Sequence, residues 1–168
     1  MAEQWFALQV RGSTEASTGL LLEQVGIPFY LPTLPSKRRW SDRVKLIAAP
    51  LFPGYLFAHF DYDKRHVIND IPHRISIVGI GQKAHPITES EIGTVRLMIE
   101  SGLEVQAHNA ILRVTDEVKI QFGAFAGRTG TIARINAQDR LVVNIPAMHR
   151  AVSVELDRDW LEKVPKVA

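Results

Sequence analysis

Ala48–Phe60 reads AAPLFPGYLFAHF, and its two halves ask for opposite backbone behaviour. Pro50, Pro53 and Gly54 break any helix, whereas the aromatic and branched residues of Tyr55–Phe60 favour a pleated strand. The stretch therefore predicts a proline-led bend feeding a central strand. Leu51, Phe52 and Tyr55 stand beside that bend, where at least one large apolar side chain is expected to stay outside the core and anchor a partner. The competing reading packs all of them in the core.

Immediately upstream, Lys37–Lys45 (KRRWSDRVK) sets Lys37, Arg38, Arg39, Arg43 and Lys45 against Asp42 as the one acidic residue. This is the strongest local field on a chain whose net charge is only +2. Trp40 offers a stacking face beside these cations, so the segment reads as a loop or hairpin with Ser41-Asp42 at its tip that grips a nucleic-acid backbone, or else as a solvated loop.

Further out, Gln4–Val10 reads as a first strand, followed by a helix with Ser13 or Thr14 as N-cap and Ala16, Leu20, Leu21 and Val25 at helical spacing before Gly26. Ile27–Leu31 suits an edge strand, Asp61–Asp70 a short helix and Arg74–Ile80 another strand. Thr88-Glu89-Ser90-Glu91 is a capping box heading a helix with Ile92, Val95 and Ile99 as its buried stripe and Gly102 as its stop. This order predicts an open α+β sandwich with one sheet face left available. From Arg113 onward the short apolar runs Glu117–Phe122, Gly130–Ile135, Arg140–Ile145 and Ala151–Leu156 predict a small β-barrel. The fold class is α+β, with a first domain over 1–105, a linker over 106–111 and the barrel over 112–168.

Absent motifs narrow the chemistry. The sequence has no phosphate loop, no nucleophile elbow, no dinucleotide fingerprint and no histidine pair at metal-ligand spacing, so no catalytic residue, metal or cofactor is expected. Cysteines are missing, no apolar run reaches membrane-spanning length, and no charged leader precedes the first strand; a cytoplasmic monomer without a membrane partner is the expectation.

Together these residues resemble the NusG family of transcription elongation factors, and within it the specialised antitermination paralogues of RfaH and UpxY type. The likeness rests on Trp5-Phe6-Ala7-Leu8, Pro50–Phe57, Pro86-Ile87-Thr88, Phe125–Thr131 and Arg150–Asp157, in family order and at family spacing. It implies an open α/β NGN domain that binds the clamp helices of the RNA polymerase β′ subunit through Leu51, Phe52, Pro53 and Tyr55, suppresses pausing or termination and approaches DNA or RNA in the elongation complex. It also implies an SH3-like KOW barrel that recruits further factors through Phe125, Gly127, Gly130 and Met148. General members carry a phenylalanine where the resemblance places Met148, which puts coupling to the ribosome or to Rho in question. In the RfaH type the small domain is stored as a helical hairpin, but Gly123, Gly127, Gly130 and the many β-branched residues here favour the barrel. The alternative reading is a ribosome-associated or free RNA-binding KOW protein.

Overall fold

The computed structural model describes residues 2–166. The chain runs β1 (Glu3–Gln9), α1 (Glu15–Gln24), β2 (Phe29–Tyr30), β3 (Thr33–Arg39), β4 (Val44–Pro50) and β5 (Tyr55–Asp61). After a 3₁₀ turn come α2 (His66–Asn69), β6 (Ser76–Ile77), β7 (Gly79–Ile80), β8 (Lys83–Ala84) and α3 (Glu89–Glu100). The remainder is β9 (Val105–His108), β10 (Asp116–Ile120), β11 (Thr129–Ile135), β12 (Gln138–Ile145), β13 (Arg150–Glu155) and β14 (Leu161–Lys163). Two compact units divide inside α3, one reaching Ile92 and the other beginning at Gly93.

In the first unit a sheet of order β2-β5-β1-β6 has β1 and β5 at its centre, antiparallel from Glu3↔Asp61 to Gln9↔Tyr55. Alternation along the strands sends Phe6, Leu8, Leu56, Ala58 and Phe60 into one core with Leu22, Ile27, Ile68 and Ile71. The expectation that the other face stays open is corrected: Trp5, Ala7 and Phe57 on that face are buried too. Phe52 and Phe57 meet edge to face, while Trp5 packs at a tilt against the His59 ring, exchanges a backbone bridge with Ile87 and donates its indole N–H to Glu89 at 2.6 Å.

Helix α1 turns a different face inward from the one its leucines suggest. Leu20 and Val25 are exposed, as is Ala16, whereas Glu15, Thr18, Gly19 and Leu22 are buried. The reason is polar: Glu15, 5% exposed, accepts a hydrogen bond from the Gly54 N–H at 2.8 Å. A charge-assisted bond to a buried carboxylate outweighs the burial of one more aliphatic side chain in fixing the helix rotation. The capping box on α3 forms as read, Thr88 N–H to Glu91 at 2.9 Å and Glu91 N–H to the Thr88 hydroxyl at 3.1 Å, and Ile92, Val95 and Met98 are its buried residues. Arg74–Ile80 yields only the short β6 and β7, since Gly79 lies so close to the Lys83 backbone that the chain turns back as a small hairpin with β8.

The second unit is one antiparallel sheet of order β14-β10-β11-β12-β13-β9. Its strands match the expected β-rich module; Val118, Ile120, Ile132, Val142 and Val154 are buried in it, and Trp160 is half-buried. The linker expectation over 106–111 is corrected, because Val105–His108 pairs with β13 from Val154↔Val105 to Ala151↔His108. Side chains fasten this added strand. Arg140, 2% exposed, donates from Nη2 to the Glu104 carbonyl at 3.0 Å and from Nε to the Ser153 hydroxyl at 2.8 Å, with Glu155 at 4.0 Å. The Ser153 hydroxyl, accepting from Arg140, also lies 2.7 Å from His108 Nε2 and can donate its own hydrogen there when that nitrogen is unprotonated. Burial, and then the Arg140 charge, depress the His108 pKa.

Two tests follow from these contacts. Glu15→Ala strands the Gly54 N–H in a partly buried setting and should cost about 1–3 kcal/mol of stability in urea denaturation. For His108, the unfolded chain takes up a proton at higher pH than the folded one, so its contribution is intact at neutral pH and is lost as pH falls. His108→Gln should therefore lose less stability than the parent between about pH 7.5 and about pH 5.5, read from denaturation midpoints at the two values.

Candidate nucleic-acid interface

Strands β3 and β4 form a ribbon of their own, paired from Thr33↔Pro50 to Arg39↔Val44. The turn at its tip, Trp40-Ser41-Asp42-Arg43, is closed by the Trp40 N–H donating to the Arg43 carbonyl at 2.8 Å. Lys37, Arg38, Arg39, Trp40, Arg43 and Lys45 are thus gathered at the outer end of a hairpin, and all six are exposed. Among the described residues none of the five cations is held in an ion pair. Sequence reading missed Val44 and Leu46, 60% and 64% exposed on the same ribbon; their alternation with Arg43 and Lys45 was the available signal.

At the ribbon's base, the Leu51 N–H donates to the Pro32 carbonyl at 2.8 Å and the chain enters the turn Phe52-Pro53-Gly54-Tyr55, closed by the Tyr55 N–H to the Phe52 carbonyl at 3.0 Å. Proline at the second position and glycine at the third with φ +83° are the requirements of a type II turn. This turn decides which apolar residues show. Leu51 and Phe52 are buried, correcting the expectation of Phe52 as an outward anchor; Pro53 is exposed and Tyr55 is half-buried. Tyr30, stacked on Phe57 with centroids 6.4 Å apart, is half-buried as well and was not singled out from the sequence.

In the second unit the 121–128 loop is held by the Gly127 N–H to the Ile120 carbonyl at 2.7 Å and the Ile120 N–H to the Arg128 carbonyl at 2.9 Å. Gly127 is required by its φ of +83° in open space, whereas at Gly130 a side chain would strike Leu141. Phe125 and Met148 are both buried, so neither presents the surface a partner would meet. Phe122, 60% exposed in that loop, is the outward aromatic; it precedes the turn glycine Gly123 and was absorbed into a strand in the sequence reading.

A family model described as "Transcription termination factor nusG" matches residues 3–96, more than half of the chain and the whole of the sheet, ribbon and turn just described. The chain belongs to the NusG family. Its relatives include the transcription termination/antitermination protein NusG of Haemophilus influenzae, 25% identical over 96% of this chain and 95% of that protein. The NusG of Thermus thermophilus is 30% identical over 71% of this chain and 70% of its own length. Among solved structures, one of Thermotoga maritima NusG aligns over 98% of this chain and 99% of that one with a TM-score of 0.51 at 20% identity, a likeness of fold. These NusG relatives are named as transcription factors rather than enzymes, which fits the absence of catalytic motifs in the sequence. No helix of the described residues is long and apolar enough to cross a membrane.

The burial of Phe52 reverses the consequence of removing it. Phe52→Ala should lose about 3–5 kcal/mol of folding stability, as for a large core aromatic. A melting transition unchanged from the parent would return Phe52 to the surface.

Proposed function

We propose that this NusG-family chain binds RNA polymerase through the face around the Phe52–Tyr55 turn and acts as an elongation or antitermination factor without chemistry of its own. The reading is supported by one juxtaposition: a rigid turn presenting Pro53 and Tyr55 lies at the foot of a cationic ribbon. In this reading Pro53 and Tyr55 meet the β′ clamp helices, and Leu51 and Phe52 support them from beneath. Binding the closed clamp better than the open one suppresses pausing by population shift. The ribbon adds contact to nucleic acid in the same complex. The second unit recruits other factors, with Phe122 rather than Phe125 or Met148 as its outward aromatic. The two tasks are assigned to separable pieces, residues 1–102 and 103–168, the second drawn back from 112 so that it keeps β9.

Affinity capture from a bacterial lysate with nuclease present tests the main claim. The full chain should retain polymerase, and Tyr55→Ala should weaken capture by about 1–3 kcal/mol while melting as the parent does. Recovery of ribosomal subunits without polymerase would favour an RNA-binding KOW protein instead.

A further inference from the structure

The register of the ribbon places its cations on both faces. Paired residues share a face and neighbours along a strand alternate, so Lys37 and Arg39 stand on one face beside Leu46 and Val44. Arg38 and its direct partner Lys45 stand on the other, and alternation carries Trp40 and Arg43 onto that same face. The inner half, Thr33–Ser36 against Ile47–Pro50, has no charge at all. Charge is therefore concentrated at the outer end and wraps around it.

Arg38 opposite Lys45 is a conflict in the isolated protein, since like charges directly across a ladder destabilise it. No carboxylate among the described residues relieves it. A phosphate between them would. A single strand laid along one face would leave the cations of the other uncompensated, whereas a duplex groove offers a phosphate chain on either side. A ribbon with side chains on both faces is roughly 10 Å thick, which fits a B-form major groove about 12 Å wide and exceeds a minor groove of about 6 Å. The deep, narrow major groove of A-form RNA does not admit it.

We infer that the outer half of the β3–β4 hairpin enters the major groove of a DNA duplex tip first. Lys37 and Arg39 neutralise phosphates of one strand, Arg38 and Lys45 those of the other, and Trp40 and Arg43 reach toward the base edges. This deepens the nucleic-acid part of the reading above and names its substrate as duplex DNA.

The test uses the full chain without polymerase, so its failure leaves polymerase capture untouched and failed capture leaves it untouched. Fluorescence anisotropy with a mixed-sequence DNA duplex of about 20 base pairs should give a log–log salt slope near −4, about 0.9 per phosphate contacted. The double variants Lys37→Gln/Arg39→Gln and Arg38→Gln/Lys45→Gln should each reduce that slope by about 2, because each removes the contacts to one strand. All four side chains are exposed, so Lys37→Gln/Arg39→Gln should keep the parent's thermal melt, and Arg38→Gln/Lys45→Gln, which removes the like-charge pair, should melt no lower than the parent. Trp40→Ala should weaken binding and leave the slope alone. A slope that responds to one pair only, or binding to the single strand or to an RNA duplex as tight as to the DNA duplex, would overturn the inference.

Discussion

Gly54 is held through both of its backbone groups: its N–H donates to the buried Glu15 carboxylate and its carbonyl accepts from Val10 N–H, each at 2.8 Å. Those two bonds tie the turn before β5 to the end of β1 and to the first turn of α1. With the turn pinned, β5 enters beside β1 in one register, and Phe57 and Leu56 fall on their respective faces. A slip of one residue would exchange every buried side chain of β5 with its neighbour, so a small polar arrangement outside the sheet sets the apolar packing within it.

The same turn fixes the root of the ribbon. Two strands alone are marginal in water, and both edges of this ribbon are unpaired, which invites pairing with another chain. The base is secured by the Leu51–Pro32 hydrogen bond, and the two strands carry lysine, arginine and, at position 35, proline. Those residues oppose edge-to-edge association, and the cations among them also make the ribbon suited to a polyanion. Resistance to edge pairing and the concentrated positive charge thus come from one set of side chains.

In the second unit a buried guanidinium takes the place of further apolar volume. Arg140 has its charge surrounded by the Ser153 hydroxyl and carbonyl, the Glu104 carbonyl and, at longer range, Glu155. Removing any one partner would leave a desolvated charge uncompensated, so the residues flanking the sheet edge are committed to one arrangement. A strand as short and polar as Val-Gln-Ala-His holds its place at that edge because the arginine holds the carbonyl of Glu104 just before it and the serine meets its histidine.

Local signals determined much of this protein. The proline and glycine of the Phe52–Tyr55 turn, the capping box at Thr88–Glu91, the alternating strands of the second unit and the basic run around Trp40 are each set by neighbours a few residues apart, and each formed as the residue pattern demanded. Contacts between distant residues decided the rest. The inward face of α1 follows from Glu15 reaching Gly54, and β9 from Arg140 reaching Glu104. The two-faced charge of the ribbon follows from which residue stands opposite which. Periodicity reports how a segment would bury itself against a generic apolar surface; it carries no information about a specific polar partner dozens of residues away, and here those partners chose the faces.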